Sequence, residues 1–243
     1  MMQNDYLEDL KNNKVATVVL LFFFVVSFAE IIAEYFENKL LVWMTKPLIL
    51  PLLLFYYLKR SKKVSPFFVI ALLASWIANM LFIQNTIDYI FYGVLFFIIY
   101  RILIIYIIVN KVKMPNSIPL ILGATPFIFL YTIVTLYTYD ILGENVYLFL
   151  FQGVFTIFLG GFSLGNYIMV SNKPNTILLI STMFMTFNQF IFLLKLYWTE
   201  VNVLQATAML LFVFGQFLLT KYMFYTEKNK QRLEIINNLR EQL

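Results

Sequence analysis

The sequence predicts an all-α, polytopic integral membrane protein, a helical bundle with about eight transmembrane helices. Of its 243 residues, 61% are hydrophobic and 13% are charged, whereas soluble domains are about half apolar and about 25% charged. The mean hydropathy is +0.81. Segments such as 18–26 and 98–109 are apolar on every face. This pattern favours helices over a β-barrel, because a helix satisfies its own backbone hydrogen bonds in hydrocarbon.

Apolar runs of about 20 residues, the length that spans a bilayer, are separated by short polar segments. The breaks carry turn chemistry, as in 59–63 before Pro66 and 113–116 before Pro119. The predicted spans are 15–33, 39–58, 66–84, 88–110, 118–138, 145–170, 175–196 and 202–225. The chain therefore divides into an N-terminal tail (1–14), a membrane domain (15–225) and a C-terminal tail (226–243).

The cations predict an orientation. With the N-terminus inside, nearly all the lysines and arginines outside the spans fall on the cytoplasmic side, and the outer loops keep only Lys39. Positively charged loops mark the cytoplasmic face, so both termini are predicted to be cytoplasmic, in a bacterial inner membrane. The net charge of +5 then fits anionic lipid headgroups and predicts no nucleic-acid partner.

Composition also limits the chemistry. The chain contains no cysteine and no histidine, which excludes disulfides, metal sites built on those residues and a histidine general base. No nucleotide or serine-hydrolase motif occurs. We therefore expect no metal and no cofactor.

The cations in or beside predicted spans include Lys46, Arg101 and Lys195, and a charge at such a position normally faces protein or water. Lys46 precedes Pro47, so it lies either in a pocket beside a kinked turn or with its ammonium reaching the membrane surface. Arg101, next to Tyr100, needs a carboxylate, carbonyl oxygens or a phosphate. A lipid phosphate and Glu30, the only carboxylate well inside a span, are both candidate partners.

Four amides also lie inside spans, namely Asn79, Asn188, Gln189 and Gln216. Membrane amides most often join helices by hydrogen bonds worth about 0.6 kcal/mol each, and a role in a pocket is the alternative. Gly161 and Gly165 form a G-x-x-x-G pattern, which predicts close helix packing and not a phosphate loop.

The order of these features, over roughly residues 25–225, resembles the YhhN-like lysoplasmalogenase family of eight-span membrane proteins. Thr45-Lys46-Pro47-Leu48 looks like that family's T-K-P-L segment. Tyr100-Arg101 ends a segment that resembles F-L-x-x-H, with arginine in place of histidine. Asn79 and Asn188 stand where the family carries aspartates in its third and seventh spans, and Gln216 matches a segment of the last span.

The resemblance implies hydrolysis of the vinyl-ether bond of lysoplasmalogens, a reaction that needs a general acid and a general base. Neutral amides cannot exchange protons at useful pH. We therefore expect a protein that binds membrane lipid or lysophospholipid with reduced or lost hydrolase activity. The resemblance assigns Asn79 and Asn188 to the catalytic positions and suggests Glu30, Lys46, Arg101 and Gln216 as substrate-binding residues.

The alternative is a membrane sensor or assembly subunit that uses its C-terminal tail. An apolar stripe runs through the charged tail at Leu233, Ile236, Leu239 and Leu243, as expected of an amphipathic helix on a partner or on the inner leaflet. A tail that only keeps the protein soluble fits the same residues.

Overall fold

The computed structural model describes residues 2–84, 86–197 and 201–241, with side chains between residues 13 and 227 except at 85, 87, 141, 144 and 196–200. This part of the chain forms eight α-helices and one 3₁₀ turn at Gly143–Asn145. The helices are α1 (Met2–Tyr35), α2 (Lys39–Arg60), α3 (Pro66–Ile83), α4 (Ile87–Lys111), α5 (Ser117–Leu142), α6 (Val146–Met169), α7 (Lys173–Tyr197) and α8 (Asn202–Glu241). All eight contain a segment long and apolar enough to cross a membrane, which confirms the predicted fold class.

The helices pack most extensively in consecutive pairs, α1 with α2, α3 with α4, α5 with α6 and α7 with α8, and the bundle has two distinct ends. At one end, which we call the tail end, Tyr57 of α2 and Ser61, which follows α2, donate to Glu227 of α8. At the opposite end, Lys46 near the start of α2 pairs with Glu34 near the end of α1. These contacts give two reference points, so each polar residue can be assigned to the half of the bundle near the tail end or to the opposite half.

Helix α2 contains two prolines, and α3 compensates for one of them. Pro51 has no N–H, so the carbonyl oxygen of Pro47, one turn earlier, has no partner within the helix. The indole Nε1 of Trp76 in α3 donates to that oxygen at 2.9 Å. A hydrogen bond between two helices thus replaces the one that Pro51 removes from α2.

Helices α5 and α6 approach closely through their small residues. A Cβ built on Gly123 would lie 2.6 Å from the carbonyl oxygen of Gly161, and one on Gly165 would lie 2.9 Å from that of Pro119. These distances leave no room for a side chain. The close packing predicted from the G-x-x-x-G pattern is therefore confirmed.

The two predicted tails continue the terminal helices. Helix α1 begins at Met2, inside the predicted N-terminal tail, and α8 extends to Glu241. The side chains of Leu233, Ile236, Leu239 and Leu243 lie outside the described residues. The amphipathic character of the C-terminal tail therefore stays a prediction.

Candidate functional site: a polar cavity inside the bundle

A cavity of about 110 Å³ lies among six helices, from α2 to α4 and from α6 to α8. We call it the central cavity. Its polar side chains are Lys46, Asn79, Tyr100, Arg101, Gln152, Thr156, Ser181, Thr182, Thr186, Asn188, Gln189 and Gln205. Lys46 and Gln205 lie near the starts of their helices and Asn79 near the end of α3. The cavity therefore occupies the half of the bundle away from the tail end.

The structure brings four of the six predicted site residues together in this lining: Lys46, Asn79, Arg101 and Asn188. The other two lie behind the wall. Glu30 contacts Lys46, and Gln216 accepts a hydrogen bond from Tyr100. Helices distant in sequence thus place the predicted residues around one space.

Arg101 is a buried cation without an acidic partner among the described residues. Its side chain is 8% exposed, and its Nη1 donates to the backbone carbonyl oxygen of Gln152 at 3.4 Å. The ion pairs found in the described part of the chain both belong to Lys46. Glu30, the candidate carboxylate partner, therefore pairs with Lys46 and not with Arg101.

Lys46 belongs to a buried charge cluster behind the cavity wall. Its ammonium donates to Glu34 and lies 3.4 Å from Oε1 of Glu30. Thr45 donates to Glu30 as well, and Gln205 donates to Glu34 at 3.1 Å. Lys46 is only 6% exposed, so its ammonium does not reach the membrane surface.

Glu34 is the partner that sequence reasoning missed. It lies near the end of the first span, where a charge needs no partner, and the sequence therefore indicated Glu30 as the one deeply placed carboxylate. In the structure both side chains are buried and share Lys46. Their spacing of one helical turn was the signal in the sequence that predicts a common face.

A second network orients the amides of α6 and α7. Gln189 donates to Oε1 of Gln152 at 2.9 Å and accepts from the Tyr131 hydroxyl at 2.6 Å and from Thr156 at 3.2 Å. It therefore joins α5, α6 and α7. Gln152 was missed by the sequence analysis, although it is an amide inside an apolar span like the four that were singled out.

Gln216 joins α3, α4 and α8. It donates to the Ser75 hydroxyl at 3.0 Å and accepts from Tyr100 at 3.2 Å. Asn79 donates within its own helix, to the carbonyl oxygen of Ser75. Asn188 makes no side-chain hydrogen bond to another described residue, so its amide is available to a bound molecule.

The described lining of the central cavity contains two cations and no carboxylate. Lys46 is paired with Glu34 and Glu30, so Arg101 is the lining cation without a paired carboxylate among the described residues. Amides and hydroxyls around it can donate to or accept from a polar ligand, while Phe82, Phe97, Met185 and Phe212 supply apolar walls. This arrangement suits an amphiphile with an anionic group.

The fold and this cavity define a polytopic helical membrane protein with a cationic, amide-lined cavity inside the bundle. The model of the YhhN family matches residues 41–223, which is most of the chain, so the protein belongs to the YhhN family. The matched segment contains the described cavity lining but not Glu30 or Glu34. No curated protein and no solved structure matches the chain.

Proposed function

We propose that this YhhN-family protein binds a lysophospholipid in the central cavity, with the phosphate on Arg101, and that its hydrolase activity is weak or lost. The observation that carries the proposal is the buried guanidinium without an acidic partner. Burying an unpaired charge is costly, and a guanidinium matches a phosphate by two parallel hydrogen bonds. A phosphate ligand would neutralise that charge.

The walls of the central cavity would orient the bound lysophospholipid. The cavity has room for several water-sized groups, as a polar headgroup requires, and its aromatic and aliphatic residues suit the first part of an acyl or alkenyl chain. Asn188, Asn79 and the Gln152–Gln189 pair would bond the glycerol and ester oxygens. Lys46, held by two carboxylates, would contribute its remaining hydrogen-bonding capacity to the headgroup.

The proposed loss of catalysis rests on the proton-transfer groups. Vinyl-ether hydrolysis protonates a vinyl carbon and adds water to the resulting cation. Asn79 and Asn188 stand where the resemblance expects aspartates, and neither amide can act as acid or base. Glu30 and Glu34 are held by Lys46, Thr45 and Gln205 behind the wall, so neither substitutes for the missing pair.

Mass spectrometry of lipid that co-purifies with the protein tests the binding proposal. We expect bound lysophospholipid with the wild type and its loss with Arg101→Gln. Arg60→Gln, which changes an exposed arginine at the tail end, is the matched control and should retain the lipid. Equal lipid content in the two variants would contradict the assignment of the phosphate to Arg101.

A second assay tests the chemistry. With lysoplasmenylcholine, we expect little or no aldehyde from the wild type and measurable release from Asn79→Asp combined with Asn188→Asp. Robust release by the wild type would refute the loss of activity. Single aspartate variants should release less aldehyde than the double variant, because each restores only one of the two carboxyl groups that the resemblance expects.

The orientation is part of the proposal: both termini are cytoplasmic and the protein resides in a bacterial inner membrane. The proposal is supported by the distribution of cations, since the segments that join the helices at the tail end contain Lys62, Lys63 and Lys113. Fusion of a periplasm-dependent reporter after Leu243 should give no signal. A strong signal would reverse the orientation.

The second candidate, a sensor or assembly subunit, is supported by the continuation of α8 to Glu241, beyond the span candidate that ends at Glu227. Deletion of 228–243 should then change the oligomeric state or the set of co-purifying proteins. Unchanged abundance and size would leave this alternative without support.

A further inference from the structure

A second cavity, with a volume of about 830 Å³, lies at the tail end of the bundle. We call it the tail-end cavity. It is lined by the segments that join α2 to α3, α4 to α5 and α6 to α7, and by the part of α8 that carries Tyr222, Thr226 and Glu227. It shares no lining residue with the central cavity.

The lining of this cavity is cationic. Lys63, Lys111 and Lys113 contribute to it, against Glu227 as the one carboxylate among its described residues. The Glu227 carboxylate already accepts hydrogen bonds from Ser61 at 2.9 Å and from Tyr57 at 3.2 Å. Three lysines against one carboxylate give the described lining a net positive charge.

Tyr222 adds a buried polar group that the protein leaves unsatisfied. Its side chain is 0% exposed, it lines the cavity, and its hydroxyl has no hydrogen-bond partner in the described part of the chain. Because buried hydroxyls are almost always bonded, this group points to a bound acceptor. Asn166 and Asn175, both 8% exposed, place further amides in the wall.

Apolar side chains surround the cations at the cavity mouth. Val64, Met114, Met169 and Val170 line the cavity and are each between 41% and 54% exposed. A soluble anion gains nothing from such neighbours, whereas a phospholipid presents its acyl chains next to its phosphate. Basic pockets between helices on the cytoplasmic side of membrane proteins bind anionic headgroups.

We infer that the tail-end cavity binds the headgroup of an anionic phospholipid from the adjacent leaflet. Lys63 and Lys113 contact the phosphate, and the Tyr222 hydroxyl donates to one of its oxygens. The site is separate from the lysophospholipid site proposed above and differs from it in the charge of the lipid it selects. It would tie the α2–α3, α4–α5 and α6–α7 connections to the membrane surface.

The test compares two lipids with identical acyl chains, dioleoylphosphatidylglycerol and dioleoylphosphatidylcholine, titrated into the delipidated full chain in detergent. Binding is measured by native mass spectrometry and by the shift in Tm. We expect phosphatidylglycerol to bind more tightly. Removing both charges with Lys63→Gln and Lys113→Gln should reduce this preference by about fivefold per lysine. Tyr222→Phe should weaken the binding of both lipids by a few fold, because both carry the phosphate oxygen that the hydroxyl would bond.

Two controls make the result decisive. Lys59→Gln removes an exposed lysine at the same end that does not line the cavity, so it should leave the preference unchanged. Arg101→Gln should also leave it unchanged, which separates this site from the proposed lysophospholipid site. Variants are compared only if their lipid-free Tm remains near that of the wild type, and Lys63→Arg with Lys113→Arg should restore binding.

Several outcomes would overturn the inference. Equal affinity for the two lipids would mean that the cavity does not select an anionic headgroup. A loss with Lys59→Gln as large as that with the lining lysines would mean that general surface charge attracts the lipid. Competition by millimolar inorganic phosphate that displaces phosphatidylglycerol completely would instead identify a site for a soluble anion.

Discussion

The guanidinium of Arg101 donates to the backbone carbonyl oxygen of Gln152 at 3.4 Å, and no carboxylate of the described chain pairs with it. The side chain of the same glutamine accepts from Gln189, which in turn accepts from Tyr131. Gln152 thus binds the buried cation through its backbone oxygen, while its side chain belongs to a hydrogen-bond network that joins α5, α6 and α7.

Replacing Arg101 with methionine should leave the Tm of the lipid-free protein unchanged or raise it. A buried charge without a counterion opposes folding, and an apolar side chain of similar size removes that cost. The same variant should lose bound lysophospholipid. A large drop in Tm, measured by differential scanning fluorimetry after delipidation, would instead mean that Arg101 stabilises the fold.

Replacing Lys46 with methionine should have the opposite effect on stability. Glu30 and Glu34 would remain buried without their ammonium, and breaking a buried ion pair costs about 3–5 kcal/mol. The free energy of unfolding in mixed micelles measures this effect. Combining Lys46→Met with Glu30→Gln and Glu34→Gln should recover most of the loss, and no recovery would contradict the charge cluster.

Trp76→Phe should destabilise the protein by roughly 1 kcal/mol, because the carbonyl oxygen of Pro47 loses its donor. The matched control is Trp43→Phe, since Trp43 is half exposed and should tolerate the change. In a Pro51→Ala background the restored backbone N–H can bond to Pro47 itself. The cost of Trp76→Phe should therefore shrink there, and a cost that stays the same would refute this account.

Gly123→Ala should separate α5 from α6, since its Cβ would lie 2.6 Å from the carbonyl oxygen of Gly161 and 2.7 Å from the backbone nitrogen of Gly165. Neither backbone atom can move alone, so we expect a cost of about 1–3 kcal/mol by thermal unfolding. Gly215→Ala is the control, because its Cβ would meet the flexible side chain of Met185 at 3.3 Å. Similar costs at both positions would argue against close packing of α5 and α6.

Much of the fold was predictable because hydropathy is a local property. The predicted span 39–58 corresponds to Lys39–Arg60 and the predicted 66–84 to Pro66–Ile83. Proline favours the first turn of a helix, as at the start of α3, and glycine allows close helix packing, as between α5 and α6. Both effects depend on the residue itself and can be predicted without its neighbours in space. The site was partly predictable for a similar reason, since a charge or amide inside a hydrophobic span is visible in the sequence.

The partners of those polar residues were not predictable from the sequence. Helices that are apolar on every face show little difference between the side that faces lipid and the side that faces protein. The sequence therefore left open whether Lys46 reaches the membrane surface and whether Glu30 pairs with Arg101. The structure answers both, because it places Glu30 and Glu34 against Lys46.

Eight membrane helices, and the polar side chains within them, could be read from the residues alone, because both follow from the solvation of individual segments. The packing of the helices was needed to learn that Lys46 is paired with carboxylates and Arg101 is not, and that Gln152 and Tyr222 line cavities. Those properties depend on which helices are neighbours and how each is rotated about its axis. Side-chain packing between distant segments sets both.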